Sequence, residues 1–427
     1  MNVIRDPFWS PNLQGASHLG NPFYLCGYLT GHGRDRVVPT ALANADTTCH
    51  GRGTGIFRTM PPTLDDLRRH AVTRSLRLAP SLRDALHRPG FLQADSIRSP
   101  ARAQDLTLRH RVADYRAGDL ERAYPDLDIE EDTFINYGYL PRDVHALMHP
   151  RPDRRPREID TDEASRAICD FIAARGTVHP REVDEAFRMG TGQNWFGGNS
   201  KVATQLLDRM HYRGAVRVAG RQGGTRLYAV APDRTPPDDP IAAADRLVDV
   251  AIDTYAPLTF KGLRFVIWVM QWSALPQWNG KRKGMLDRAL TRLASTRIDG
   301  TDWYWPADED PAAAPEVPNA VRIVAPFDPV VWDRRRFEEL WGWEYRFEAY
   351  VPAPKRIRGY YAMPLIWRDH VIGWANVSTT SGAMTVDVGY VTGEAPSDPA
   401  YPDALRADLA DLARFLGVDD RVVVTEG

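Results

Sequence analysis

Apolar residues fall at helical spacing from Asp162 to Arg175, where Ala164, Ile168, Phe171 and Ile172 share one face and Gly176 supplies a stop. A shorter helix is predicted over His179–Phe187. After the glycine-bearing loop Gly190–Gly198, a third is predicted over Ser200–Met210, ending at Gly214. Two short runs, Ala215–Ala219 and Thr225–Val230, then flank the turn Arg221-Gln222-Gly223-Gly224 and predict a hairpin. Three helices and a hairpin in this order make a winged helix, a helix-turn-helix with a β wing.

The order recurs downstream. A helix Pro240–Tyr255 is followed by Pro257-Leu258-Thr259, a helix through Leu263–Ile267, a Lys/Arg-rich loop, a helix Lys283–Ala294 and a hairpin around Arg297–Tyr304. Upstream, Thr63 is placed to cap a helix with Leu67, Ala71 and Leu76 inward. A short helix Ser81–Leu86 stops at Pro89-Gly90, and Phe91–Ile97 reads as extended, so this part is a degenerate third copy. Residues 308–315 read as a linker or exposed loop. Beyond Arg322 the pattern turns to aromatic-rich β, with alternation in Tyr345–Val351 and Met384–Tyr390, and a last helix is predicted over Ala404–Leu416. The fold class expected is α+β: tandem winged-helix units followed by a C-terminal β-rich domain. The divisions are an irregular arm 1–57, winged units 58–150, 151–235 and 236–317, and the β-rich domain 318–427.

Composition narrows the function. The 427 residues carry 54 Lys+Arg and 56 Asp+Glu, a formal charge of -2. Three scattered cysteines, Cys26, Cys49 and Cys169, make neither a disulfide framework nor a four-cysteine zinc site. No apolar run approaches the roughly 20 residues that cross a bilayer. Charge and proline interrupt the start Met1–Pro7, so no signal-peptide core is read there, and a cytoplasmic protein without membrane contact is expected. Near-zero net charge argues mildly against a polyanion partner, but the average hides grouping. Basic residues gather at 151–157, 281–283 and 334–336, and acids at 126–132 and 308–310. A groove responds to its local potential, not to the total.

Several chemistries can be set aside. His145 and His149 are four apart, yet no nearby Glu or Cys completes a metal set, and two surface histidines beside Pro150 are expected. The glycines of 190–198 lack the Gly-Lys-Ser/Thr ending of a phosphate loop, and no Gly-x-Ser-x-Gly elbow occurs. Lys281, Arg282 and Lys283 beside Trp278 suit phosphate contact and base stacking, with a solvated charged surface as the bland alternative. In an extended Phe91–Asp95, Gln93 and Asp95 project to one face. Asp95 could then act as a base on a water that Gln93 positions; the plain alternative is that Asp95 caps a helix starting at Ser96.

The run Ala325-Pro326-Phe327-Asp328-Pro329-Val330-Val331-Trp332-Asp333-Arg334, with Tyr345-Arg346-Phe347-Glu348 and Tyr350-Val351-Pro352-Ala353-Pro354-Lys355-Arg356, resembles the YcaQ/AlkZ-like winged-helix DNA glycosylases. The resemblance covers about 60–390 and is strongest over 322–373. It implies excision of alkylated, N7-substituted purines from double-stranded DNA, with unhooking of interstrand crosslinks, by a monofunctional, cofactor-free and monomeric enzyme. Leu92-Gln93-Ala94-Asp95 matches the family's Gln-x-Asp signature, which makes Gln93 and Asp95 the catalytic pair. DNA contact is expected from Lys281, Arg282, Lys283, Lys355, Arg356 and Lys201, and no metal is expected. Two elements depart from the family. Its Trp-x-His element has lost the histidine around Phe134–Pro141, with Asn136 in the neighbourhood. Its Arg-x-Asp-x-Lys after Gly373 reads Trp374-Ala375-Asn376-Val377-Ser378. These departures motivate the alternative, a winged-helix DNA-binding, damage-binding or regulatory protein without catalysis. A metabolic enzyme with accidental resemblance ranks third.

Overall fold

The computed structural model describes residues 61–152, 162–193, 198–233, 235–418 and 422–426. The expected arm 1–57 and most of the Pro/Arg-rich connector lie outside these residues.

Thr63 opens the first helix, Leu64–Ser75, through a reciprocal cap. Its hydroxyl accepts from the Asp66 N–H at 3.2 Å, and the Asp66 carboxylate accepts from the Thr63 N–H at 2.9 Å. Leu67, Ala71 and Leu76 are buried, as their spacing predicts. Ser81 caps Leu82–His87, and the chain then enters a two-residue strand, Leu92–Gln93. That strand pairs antiparallel with Tyr137–Pro141, which pairs with Ile129–Thr133. Gly138 stands opposite Gln93. A Cβ on Gly138 would collide with the Leu92 carbonyl oxygen, so glycine is what lets these strands close.

Helices Asp162–Ala173, Pro180–Phe187 and Val202–Arg213 precede a hairpin of Val216–Gln222 with Thr225–Val230. Ser200 and Lys201 fall in a short strand, Asn199–Lys201, ahead of the third helix rather than inside it. The order returns as Pro240–Tyr255, Phe260–Ser273, Arg282–Leu290 and a hairpin of Leu293–Ile298 with Thr301–Pro306. Leu293 and Ala294 leave the expected helix for the strand because Ala294 finds a ladder partner in Trp305. Among the described residues no helix is long and apolar enough to cross a membrane.

The C-terminal sheet runs in the order Val321–Ile323, Met363–Trp367, His370–Thr380, Ala383–Tyr390 and Val422–Glu426, the last strand joining in parallel. The helix Tyr401–Leu416 supplies buried leucines to its core. Tyr345–Val351 forms no strand. Tyr345 packs inward, 5.9 Å from the Phe337 ring on a helix, Arg334–Trp341, that the alternation does not predict. The supposed linker is also anchored. Glu309 meets Arg74 at 2.7 Å and His70 at 2.9 Å against the first helix. Burial pushes the Glu309 carboxyl up, but hydrogen bonds from His70 and Arg74 outweigh it and hold the group at about 2.

Apolar cores cross the divisions read from the sequence. One unites Leu92 and Tyr139 with Leu207, Val386 and Leu412; another unites Phe91 and Phe134 with Leu247, Met270 and Trp303. Buried ion pairs do the same. Arg109 meets Asp408 at 3.0 Å, and Arg111 makes two bonds to Asp328, at 2.8 and 3.0 Å. Asp328 of the Pro-Phe-Asp-Pro run therefore clamps the C-terminal part to the segment that carries Gln93.

Candidate active site

The strand stops at Gln93, and Asp95 sits in an irregular turn rather than on a continuing extended face. Its Oδ1 accepts the Ile97 N–H at 2.7 Å, and its own N–H donates to Gln104 Oε1 at 3.1 Å. No helix begins at Ser96, so this is a local Asx-type turn and the helix-cap alternative is removed. Burial raises the Asp95 carboxyl to about 6, against the opposing pull of the Ile97 N–H. No cationic side chain among the described residues pairs with it. A carboxylate at that value is ionised at neutral pH and still basic enough to take a proton from water.

Gln93 is fixed from the facing hairpin. Asn136, buried in the turn between Ile129–Thr133 and Tyr137–Pro141, donates its Nδ2 to Gln93 Oε1 at 3.0 Å. With the amide oxygen committed, the NH₂ end of Gln93 is left as a donor. Asn136 therefore touches the catalytic candidate directly.

Sequence reasoning missed Tyr361. The residue is 3% exposed, lies edge-on to Phe347 at 5.3 Å, and its enclosed hydroxyl has no hydrogen-bond partner among the described residues. Burial pushes this hydroxyl well above its ordinary value, and the Asp95 carboxylate adds to the effect. An unpaired enclosed hydroxyl costs about 1–3 kcal/mol, which marks the position for explanation. No motif signals it, because Tyr361 and Asp95 are far apart in the chain.

The histidines correct an expectation. His145 and His149 are buried, not on the surface, and Asp132 completes a cluster whose ligand atoms lie within 4.8 Å of one another. Asp132 Oδ2 lies 2.7 Å from His145 Nε2 and 3.2 Å from His149 Nε2. Arg151 Nη1 donates to both Asp132 oxygens at 3.0 Å. An entering metal ion would face that guanidinium, so the cluster suits an internal polar network. Burial alone would raise the Asp132 carboxyl, yet Arg151 and the two histidines hold it well below the usual carboxylate range. Its strand neighbours are equally internal. Glu130 takes Arg142 at 3.0 Å and Arg217 at 2.9 Å, and Glu131 takes Arg221, so an acidic run seals the seam with the next hairpin.

The cations expected to meet DNA are spread over three segments. Lys281, Arg282 and Lys283 are exposed at the start of Arg282–Leu290, with Lys281 5.1 Å from the Trp278 ring and Lys283 paired to Asp287 at 2.6 Å. Lys201 precedes Val202–Arg213 and meets Asp184 at 3.0 Å. Lys355 is exposed and Arg356 half-buried in a C-terminal loop. None of the six is hydrogen-bonded or ion-paired to Gln93 or Asp95 among the described residues. The 334–336 group divides, with Arg335 exposed and its neighbours turned inward. Arg336 is fully buried and donates to the Pro329 carbonyl at 2.9 Å, and Arg334 lies over the Tyr345 ring.

Residues 86–415 match the family model described as DNA glycosylase AlkZ-like. Among solved structures, the Streptomyces sahachiroi DNA glycosylase AlkZ is similar in fold, with a TM-score of 0.60 at 15% identity. The similarity covers 86% of this chain and 100% of that one.

Proposed function

The chain belongs to the AlkZ-like DNA glycosylase family, and on that premise we propose that it hydrolyses the N-glycosidic bond of N7-alkylated purines in duplex DNA. The reading extends to interstrand crosslinks joined through such purines, and to a monofunctional enzyme working as a monomer without cofactor. The three helix–hairpin groups are read as winged-helix units that scaffold the DNA, with Lys281, Arg282, Lys283, Lys355, Arg356 and Lys201 contacting phosphates.

The observation that carries this reading is Asp95. It is a carboxylate raised to about 6 by burial, unpaired by any described cation, two residues from an amide held in place by Asn136. An N7-alkylated purine already carries positive charge and leaves without a strong general acid. What remains is to stabilise the oxocarbenium-like sugar and deliver water. The Asp95 carboxylate supplies negative charge to the sugar and accepts the water proton, while the Gln93 NH₂ end orients that water.

Purified protein should release N7-methylguanine from a methylated duplex, and Asp95→Asn should not. Equal release by both proteins would reject Asp95 as the base. Salt-dependent DNA binding without excision of any alkylated substrate would favour a damage binder instead.

A further inference from the structure

Ile357 is the most exposed large apolar side chain among the described residues, at 76%. It projects from the loop Pro352–Tyr360, which also carries Lys355, Arg356 and Arg358, and it is flanked by the partly exposed rings of Tyr350 and Tyr360. Among the described residues the isoleucine joins no apolar cluster; the backbone beneath it is what is held. Glu348, only 3% exposed, accepts the successive N–H groups of Ile357 at 3.0 Å, Arg358 at 2.7 Å and Gly359 at 3.2 Å. From the other side, Asn376 Nδ2 donates to the Arg358 carbonyl at 2.6 Å. Gly359, at φ +128°, leaves room for Asn376 where a Cβ would collide.

The cations are braced as well. The Arg358 guanidinium lies 4.8 Å from the Trp343 ring and 5.8 Å from that of Trp374, two indoles stacked 6.0 Å apart. Arg356 lies 5.0 Å from the Tyr360 ring and donates Nε to the Val351 carbonyl at 2.8 Å. A buried carboxylate has thus given up its hydration to keep an apolar tip in water between positive charges. That outlay stabilises nothing at the tip unless the tip meets a partner.

The chemistry of the partner follows from the loop. Lys355 and the two arginines suit a polyanion, and an isoleucine suits an apolar gap within it; stacked base pairs between phosphate strands offer both. The loop leads directly into Tyr361, the enclosed tyrosine described with the candidate site. We propose that Pro352–Tyr360 is a DNA wedge, with Ile357 entering the minor groove at a base step beside the lesion while Lys355, Arg356 and Arg358 grip the flanking phosphates. Prising open one step exposes the glycosidic bond to the water at Asp95 without a closed base pocket. The inference rests on the glycosylase reading for its partner, DNA.

The test uses the full chain and an undamaged duplex with 2-aminopurine at successive positions, so that its readout does not depend on excision. Wild-type protein should raise the fluorescence at one step, and Ile357→Ser should abolish that rise with affinity within about threefold. Lys355→Ser with Arg356→Ser should weaken binding and flatten log K against log salt by about 1.8, two phosphate contacts at roughly 0.9 each. Unchanged melting temperatures show that the variants fold. Loss of the rise in Ile357→Ser without excision by wild-type protein would sink the glycosylase reading and leave the wedge standing. Full fluorescence and full excision by Ile357→Ser would do the reverse. Full DNA affinity in the double variant would mean that the loop faces something other than DNA, and overturns the proposal.

Discussion

Asp95 and Asp132 lie in the same small sheet region, and burial pushes both carboxyls up, yet the rest of their surroundings drives them in opposite directions. Asp132 is closed in by Arg151 and two histidines and is held well below the ordinary carboxylate value. Asp95 has one backbone N–H for a partner and rises to about 6. Burial is common to both, so it cannot mark a catalytic group. What separates them is whether the protein supplies a countercharge. Where it does, the carboxylate is spent on holding strands and helices together; where it does not, the charge stays unmatched, as the proposed role beside a developing cationic sugar requires.

Removing each charge should therefore move different quantities. The largest effect is expected from Asp95→Asn, which should lower single-turnover excision by about 10²–10³-fold, as loss of one charge-stabilising group does elsewhere. The same change should raise stability. A raised carboxyl keeps its proton in the native state where the unfolded chain has lost it. The group therefore costs stability progressively as pH climbs from about 4 to about 6, and that cost persists above. Thermal melts at pH 7.5 should show Asp95→Asn more stable by about 1–2 kcal/mol. Asp132→Asn should do the opposite. Arg151 is left buried beside a neutral amide, and chemical denaturation should show a loss of about 3–5 kcal/mol. In wild-type protein this depressed carboxyl contributes fully above the unfolded value, and its contribution disappears as pH falls below roughly 4.

Smaller effects test the parts around Asp95. Asn136→Ala frees the Gln93 amide and should slow excision about tenfold, the scale of one hydrogen bond of roughly 1.4 kcal/mol. Stability should change little beyond the loss of that bond. Tyr361→Phe should leave the melting temperature unchanged or slightly higher, because its hydroxyl is enclosed and unpaired. A fall of several degrees would show that the hydroxyl is structural after all, and a change of only a few-fold in excision is expected.

The comparison also explains what the sequence could tell. Helices such as Pro240–Tyr255 and the two hairpins were legible because their periods and turns are local. The candidate pair, Gln93 and Asp95, was legible because it spans three residues of one motif. What completes the site was not. Asn136 reaches Gln93 across 43 positions, and Tyr361 comes from another part of the chain. In the sequence the acids of 126–132 are only a charge group, and only the fold shows Ile129–Thr133 buried, with Arg217 meeting Glu130 across 87 positions. Tyr345–Val351 alternates as a strand would, but its inward aromatics and the folded-back Glu348 serve packing and a loop rather than a ladder. Alternation records which side chains are buried, not what the backbone bonds to.

The most direct test of the central claim is the pH profile of single-turnover N7-methylguanine release between pH 5 and 8, corrected for spontaneous depurination. With Asp95 as the working base, the wild-type rate should climb through a half-maximum near pH 6 and level off above 7, and this limb should be absent from the residual rate of Asp95→Asn. A flat wild-type profile, or the same limb in Asp95→Asn, would contradict it.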